Sequence, residues 1–287
     1  MSRIAYVNGR YVPHGSANVH IEDRGYQFAD GVYEVCEVRG GSLVDTGRHL
    51  KRLERSLAEL GIAKPMNDNA LVHVLRETVR RNRVRDGLVY LQVTRGVAKR
   101  DHAFPAAGTR PALVVTARAS DPKVAEGKFE RGVAVVTVPD NRWERVDIKT
   151  VSLLPNVLAK QKAREAGAYE AWFVDADGNV TEGSSTNAWI VTKDGTVVSR
   201  PAESGILRGI TRTTLLEAIE AEGLTFEERA FTVDEAKDAK EAFITAATTI
   251  LIPVVRIDDT SVGNGHPGET TQRLREAFRR FTEATPV

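Results

Sequence analysis

The chain has 287 residues, enough for one large domain or two of ordinary size. Apolar residues make up 41% and charged residues 28%, which is typical of a soluble globular protein, and a net charge of +1 gives no indication of nucleic acid or an anionic membrane as a partner. The single cysteine, Cys36, excludes an internal disulfide and suits a reducing compartment. The start of the chain lacks an apolar run of signal-peptide length, and no later run is long enough to span a bilayer, so we expect a cytoplasmic protein.

The first 120 residues predict a small domain that mixes strands and helices. Asn8-Gly9 separates two short alternating runs, and this dipeptide supplies the two positive φ angles of a hairpin turn. Leucines at helical spacing, followed by Gly61 as a cap, predict a helix. The predicted elements are a hairpin at 4–12, helices at 45–61 and 68–84, and strands at 87–96 and 110–119.

The polar segment 120–132 has the composition of a linker, so we place a domain boundary there, with domains at 1–120 and 121–287. The second domain is predicted to contain a strand, a meander with turns at Asp177-Gly178 and Asp194-Gly195, a helix, and a further helix-and-strand unit. Strands and helices do not alternate regularly, which favours the α+β class. The corresponding segments are 133–139, 170–200, 210–223 and 232–255.

Lys149 lies in an apolar, strand-like segment, "RVDIKTVSLLPNVLAK". Removal of a lysine from water disfavours its charged form, and a neutral amine is the nucleophile that bonds to an aldehyde. A lysine at a strand edge whose ammonium extends to solvent is the ordinary alternative.

Glu182 is followed by small hydrogen-bonding residues in "TEGSSTN". Neighbouring donors would keep its carboxylate ionised, so that it could face a cationic ring nitrogen. A polar β-turn without a ligand is the alternative.

Two segments resemble anion sites. The loop that ends at Gly209 leads into a helix beginning at Ile210 or Thr211, where free backbone N–H groups and threonine hydroxyls suit a phosphate, although ordinary capping also explains them. Arg100 and His102 flank Asp101 in a loop and suit a carboxylate, although a solvated basic loop has the same composition.

Three arginines, Arg48, Arg52 and Arg55, share a helix face that is either solvated or holds a phosphate. No residue spacing predicts a metal site.

Together these features match the needs of pyridoxal 5′-phosphate: a lysine for the aldehyde, an acid for the pyridine nitrogen and a helix start for the phosphate. The same residues carry a resemblance to the fold-type IV pyridoxal-phosphate enzymes. It rests on four blocks in the family's order along essentially the whole chain: "DRGYQFADGVYEV", "VDIKTVSLLPNVLAK", "TEGSSTN" and "GILRGITR". The resemblance implies a small N-terminal α/β domain, a larger C-terminal pseudo-barrel domain and a homodimer.

The resemblance also implies roles for individual residues. Lys149 would bond to the cofactor's aldehyde carbon and then move the substrate proton, and Glu182 would pair with the pyridine nitrogen. Leu207 would pack under the ring. The phosphate would be held by Arg52, Ile210, Thr211, Ala247 and Thr248.

Within the family, "RDH" resembles the Arg-x-His pair by which enzymes acting on D-amino acids bind the substrate carboxylate. Arg100 and His102 would reach in from the partner subunit, and Tyr33 would complete the carboxylate site. We therefore expect a ping-pong transfer of the amino group from a D-amino acid, such as D-alanine or D-glutamate, to a 2-oxo acid such as 2-oxoglutarate. Neither a nucleic acid nor a membrane is expected as a partner.

Two positions depart from the family pattern. Ala246 and Ala247 stand where relatives often have hydroxyl side chains near the phosphate, which predicts weaker cofactor retention unless Thr248 or Thr249 compensates. Glu37 replaces a lysine that some D-specific relatives have beside the substrate, and a carboxylate there would repel an acidic side chain.

Three alternatives stay open from the sequence. A branched-chain L-amino-acid aminotransferase and an aminodeoxychorismate lyase belong to the same family. A two-domain binding protein without catalytic activity is the third, supported only by the arginine-rich segment 76–85.

Overall fold

The structure is a computed structural model that describes residues 3–202 and 205–286. No helix within these two ranges is both long and apolar enough to cross a membrane.

Helices and strands alternate irregularly along the chain. From the N-terminus they are β1 (Ile4–Val7), β2 (Arg10–Pro13), α1 (Arg24–Phe28), β3 (Gly31–Arg39), β4 (Ser42–Val44), α2 (Thr46–Glu59), α3 (Asp68–Asn82), β5 (Gly87–Thr94), β6 (Ala112–Ala119), α4 (Pro122–Arg131) and β7 (Val133–Pro139). There follow α5 (Leu154–Glu165), β8 (Glu170–Val174), β9 (Val180–Gly183), β10 (Asn187–Val191), β11 (Val197–Ser199), α6 (Ile210–Ala221), β12 (Phe226–Glu228), α7 (Val233–Asp238), β13 (Glu241–Ala246), β14 (Ile250–Ile257), β15 (Thr260–Ser261), α8 (Glu269–Phe278) and β16 (Ala284–Pro286).

The chain divides into two compact units. The first unit comprises Met1–Pro122, Ile148–Ser152 and Glu283–Val287, and the second comprises Lys123–Asp147 and Leu153–Thr282. Two short segments from later in the sequence therefore belong to the N-terminal unit. The domain boundary near residue 120 stays a prediction.

The first unit is built on an antiparallel sheet with strand order β16-β4-β3-β5-β6-β1-β2. Successive side chains of β3 alternate between its faces, and Val32, Cys36 and Val38 enter the core that α2 and α3 cover. The Asn8-Gly9 hairpin is confirmed, with φ of 46° and 95° at the two turn residues. The predicted helices at 45–61 and 68–84 and the strands at 87–96 and 110–119 are confirmed as α2, α3, β5 and β6.

The second unit contains a mixed sheet with order β12-β11-β10-β13-β14-β7-β8-β9, with β15 added beside β14. The strands β12 and β9 stand at opposite ends of this order, but the chain after β12 is hydrogen-bonded to the start of β9. The Val180 N–H donates to the Phe231 carbonyl (2.9 Å), and Asn179 forms a β-bridge with Thr232. The sheet therefore curls on itself, as the predicted pseudo-barrel requires. Trp172 and Phe231 lie in its buried core, and α6 and α8 pack against a separate cluster that contains Trp189.

The α+β class is confirmed, but the polar segment at 120–132 is not an irregular linker. Residues 122–131 form α4, whose Phe129 packs against the cluster beneath α6 and α8. Glu126 of α4 pairs with Arg275 of α8 at 2.8 Å. This tertiary contact outweighs the linker-like composition.

Leu75 is fully buried between α3 and the first sheet. We expect Leu75→Ala to lower the free energy of unfolding of the cofactor-free protein by about 2–5 kcal/mol, because a core truncation loses apolar burial and leaves a cavity. Val124→Ala, at a 56% exposed position on α4, is the matched control and should change it by less than about 0.5 kcal/mol. Urea unfolding followed by circular dichroism measures both, and equal losses would contradict the placement of Leu75 in the core.

Candidate active site

Lys149 lies in the first unit beside the start of β3. The Tyr33 N–H donates to the Lys149 carbonyl (3.0 Å), and the Val151 N–H donates to that of Gly31 (3.0 Å). The segment is irregular except for a bridge between Thr150 and Val32, so the predicted strand is reduced to this pairing. The Lys149 Nζ is 3.3 Å from the Tyr33 hydroxyl and 4.3 Å from the ring centroid. Two predicted site residues, Lys149 and Tyr33, therefore meet through their side chains.

Arg52, a predicted phosphate ligand, projects from α2 and binds a buried carboxylate. Its Nε and Nη2 donate to the two oxygens of Glu34 at 2.7 and 2.8 Å, and His49 Nδ1 lies 2.7 Å from the same carboxylate. Burial alone would raise the pKa of Glu34, but the charges and hydrogen bonds of Arg52 and His49 outweigh it and hold the pKa far below its usual range. The guanidinium is therefore fixed in orientation. Sequence reasoning missed Glu34, because its position on β3 matches that of a core residue.

Arg100 and His102 lie in an exposed loop of the first unit, after β5. The Arg100 guanidinium lies over the Phe28 ring at 4.8 Å from its centroid, and the His102 ring is 5.5 Å from the same centroid. The two predicted carboxylate ligands are therefore brought together on one aromatic ring.

Glu182 is the last but one residue of β9, in the second unit, and accepts hydrogen bonds from three residues. Arg142 Nη1 donates to Oε1, Asn187 Nδ2 donates to Oε2 (3.1 Å), and the Leu207 N–H lies 3.2 Å from both oxygens. Arg142 also pairs with Asp140 at 2.7 Å. Burial alone would raise the pKa of Asp140, but Arg142 outweighs it, so the net pKa is lowered. These donors favour an ionised Glu182.

Asn187 connects Glu182 to the start of α6. Its Nδ2 also donates to the Leu207 carbonyl (3.0 Å), and Gly209, the N-cap of α6, passes so close that an added Cβ would lie 2.2 Å from Asn187 Oδ1. Asn187 is paired with Thr245 at the end of β13. Asn187 is one of the neighbouring donors that the "TEGSSTN" block was expected to offer to Glu182, whereas sequence reasoning missed Arg142.

Ile210 and Thr211 begin α6, as predicted, and both are buried. No side chain caps this helix start among the described residues, so its first N–H groups point outward without an intrahelical acceptor. Ala247 and Thr248 lie in the turn between β13 and β14, where Ala246 pairs with Ile250. The Thr249 Oγ1 in this turn is buried and has no hydrogen-bond partner within the described parts of the chain.

A second buried carboxylate, Glu170 on β8, orders the serines of the "TEGSSTN" block. Ser184 and Ser185 both donate their hydroxyls to it, the second at 2.8 Å, and Lys160 Nζ lies 3.3 Å away. This carboxylate was also missed, because "EAWFV" resembles an ordinary buried strand. Nowhere in residues 3–202 and 205–286 do three or more His, Cys, Asp or Glu side chains form a group that could hold a metal ion.

Comparison with known proteins gives consistent matches. The amino-transferase class IV family pattern matches residues 31–257. A D-alanine aminotransferase of Bacillus licheniformis is 44% identical over 95% of this chain and 94% of its own length, and one of Staphylococcus aureus (strain COL) is 38% identical over 98% and 99%. A branched-chain amino acid aminotransferase of T.th., solved with pyridoxamine 5′-phosphate, superposes with a TM-score of 0.88 at 26% identity, covering 98% of this chain and 94% of that one.

The side chains described above fit the cofactor of these enzymes. The start of α6 offers N–H donors to a phosphate, and the buried Thr249 hydroxyl has no partner in the part of the chain that the structure describes. In the first unit, Lys149 is half-buried with a tyrosine hydroxyl beside its amine. The chain belongs to the amino-transferase class IV family, and its cofactor is pyridoxal 5′-phosphate.

Proposed function

We propose that the protein is a D-amino-acid transaminase, which transfers the amino group of a D-amino acid such as D-alanine or D-glutamate to a 2-oxo acid such as 2-oxoglutarate in two half-reactions. The observation that carries the proposal is the 44% identity to a D-alanine aminotransferase over nearly the whole chain. A branched-chain L-amino-acid aminotransferase is the second candidate, supported by the likeness to the T.th. enzyme at 26% identity. An aminodeoxychorismate lyase is the remaining family alternative.

Lys149 is proposed as the residue that bonds to the cofactor and moves the substrate proton. Its Nζ lies 3.3 Å from the Tyr33 hydroxyl, which orients the amine and can exchange a proton with it. When bound, the cofactor supplies a ring that withdraws electrons from the substrate Cα. Glu182, held by Arg142, Asn187 and the Leu207 N–H, is proposed to keep the ring nitrogen protonated, because an ionised carboxylate stabilises that proton.

The phosphate is proposed to bind the N–H groups of Ile210 and Thr211, the β13–β14 turn that contains Ala247 and Thr248, and Arg52. Leu207 is proposed to support the ring. Arg52 already donates Nε and Nη2 to Glu34, so its guanidinium is held in one orientation and would contact the phosphate as a fixed donor.

The carboxylate of the substrate is proposed to bind Arg100 and His102 of a partner subunit, together with Tyr33. A homodimer is supported by apolar side chains of the first unit that are exposed in the single chain. They are Val19, Ile21, Tyr26, Val97 and Phe104. Exposed apolar side chains of this kind suit contact with a second copy of the chain. A cytoplasmic location is proposed from the single cysteine, Cys36, which is buried with a raised pKa.

The half-reaction tests the function directly. With purified holoenzyme and no 2-oxo acid, D-alanine or D-glutamate should convert the cofactor's absorption band to that of the pyridoxamine form, whereas L-alanine and L-leucine should leave it unchanged. A response to L-leucine alone would move the assignment to the branched-chain class. A band that none of these substrates alters, with pyruvate released from aminodeoxychorismate, would establish the lyase.

Lys149→Ala should abolish transamination, with kcat reduced by about 10⁴-fold or more, because no other amine replaces its bond to the cofactor or its proton transfer. The matched control is Lys162→Ala, at an exposed position on α5, which should retain wild-type kcat. Steady-state kinetics and circular dichroism are measured on both variants. Substantial turnover by a folded Lys149→Ala variant would contradict the assignment.

Mixed dimers test whether the carboxylate site is shared. The Lys149→Ala homodimer should be inactive and the Arg100→Ala homodimer weakly active, but a randomised mixture should regain about a quarter of wild-type activity, because half of the dimers then contain one complete site. Mass measurement confirms subunit exchange. No recovery in a mixture that has exchanged subunits would place Arg100 in the same subunit as Lys149, or outside the site.

A further inference from the structure

Arg24, at the start of α1, is a buried arginine whose guanidinium faces the loop that carries Arg100 and His102. Its Nη1 donates to the Asp101 carbonyl at 2.6 Å and to that of Ala103 at 3.3 Å, and Nη2 lies 3.5 Å from the His102 carbonyl. Three consecutive carbonyls therefore converge on one side chain that is 4% exposed.

Asp30 fixes the direction of this guanidinium. Its Oδ2 accepts from Arg24 Nε (2.8 Å) and from Arg95 Nε (2.7 Å), and its Oδ1 accepts from Arg95 Nη2 (3.0 Å). Arg95 in turn donates to the Leu60 carbonyl and stacks on Phe104, with 3.7 Å between the guanidinium carbon and the ring centroid. The loop is thus held between two arginines that share one carboxylate.

The loop has little other support. Residues 99–104 form no helix or strand, and within the described ranges the remaining hydrogen bond of their backbone joins the Ala103 N–H to the Asp101 carboxylate at 3.0 Å. The carbonyls of 101–103 point to Arg24, whereas the side chains of Arg100 and His102 rest on Phe28. The conformation of the loop depends mainly on Arg24.

We propose that Arg24 is a positioning residue that holds Arg100 and His102 in the geometry required to bind the substrate carboxylate. The expected effect on KM rests on the proposed function, whereas the anchoring of the loop by Arg24 does not. Arginine is required because its planar fork reaches Asp30 and the loop carbonyls simultaneously, whereas the compact ammonium of lysine cannot span both. Displacement of the loop by about 1 Å is enough to weaken a bidentate contact strongly.

Arg24→Lys, which keeps the charge beside Asp30, and Arg24→Met test the proposal. Both should accelerate hydrogen exchange at the Ala103 amide, the hydrogen-bonded N–H of the loop, and raise KM for D-amino acid and 2-oxo acid by about tenfold, with kcat altered by less than about threefold and the cofactor band unchanged. The effect of Arg24→Lys should be the smaller. In a background that carries both Arg100→Ala and His102→Ala, Arg24→Lys should raise KM by less than about twofold, because both groups it positions are already absent.

Arg80→Met, which removes an exposed ion pair with Glu77 on α3, is the control and should change neither exchange nor KM. If the Arg24 variants do not fold, Phe28→Leu removes the ring on which the side chains of Arg100 and His102 rest, and it should also raise KM. Unchanged exchange and KM in folded Arg24 variants would overturn the proposal. A wild-type KM in Arg100→Ala would instead overturn the carboxylate role in the proposed function, and the exchange data alone would then decide whether Arg24 anchors the loop.

Discussion

The pairing of residues 148–152 with the start of β3 is the contact on which the site in the first unit depends. Two backbone hydrogen bonds of 3.0 Å join segments more than a hundred residues apart and place Lys149 beside Tyr33. On its other side Gly31 lies close to β5, since an added Cβ would lie 2.8 Å from the Val93 carbonyl. The lysine is therefore positioned by non-local backbone pairing, and its own flanking residues need only be apolar enough to bury Ile148.

Buried carboxylates fix the orientation of the arginine and histidine side chains that pair with them. Glu34 is shared by Arg52 and His49, Asp30 by Arg24 and Arg95, and Arg142 joins Asp140 to Glu182. Removal of one partner from a buried pair leaves an uncompensated charge and typically costs about 3–5 kcal/mol. Each group is consequently locked in one orientation, which is the condition for binding a planar cofactor or a carboxylate with defined geometry.

Turn residues and hydrophobic periodicity in the sequence predicted the hairpin and several of the helices. The hairpin at Asn8-Gly9 and the helices α2, α3 and α6 follow from turn chemistry and periodicity, and Lys149 and Glu182 were found because their residue types are unusual in their surroundings. The distant partners of these residues were not predictable in this way. Arg142, in the loop after β7, meets Glu182 of β9 across 40 residues, because β7 and β9 both pair with β8. Similarly, α4 is stabilised by Phe129 and Glu126 contacts that a linker-like composition does not reveal.

The structure also changes the charge expected at Glu37, because an arginine lies beside it. Tyr33, Val35 and Glu37 alternate with core residues on β3 and share one face of the sheet. The prediction that Glu37 repels an acidic side chain assumed that its carboxylate has no cation beside it. In the structure Arg39 donates Nε and Nη2 to the two oxygens of Glu37 at 3.2 and 3.0 Å, so the pair carries no net charge. Because the field of such a pair falls off faster than that of a single carboxylate, Glu37 would repel a nearby acidic side chain less strongly than its charge alone implies.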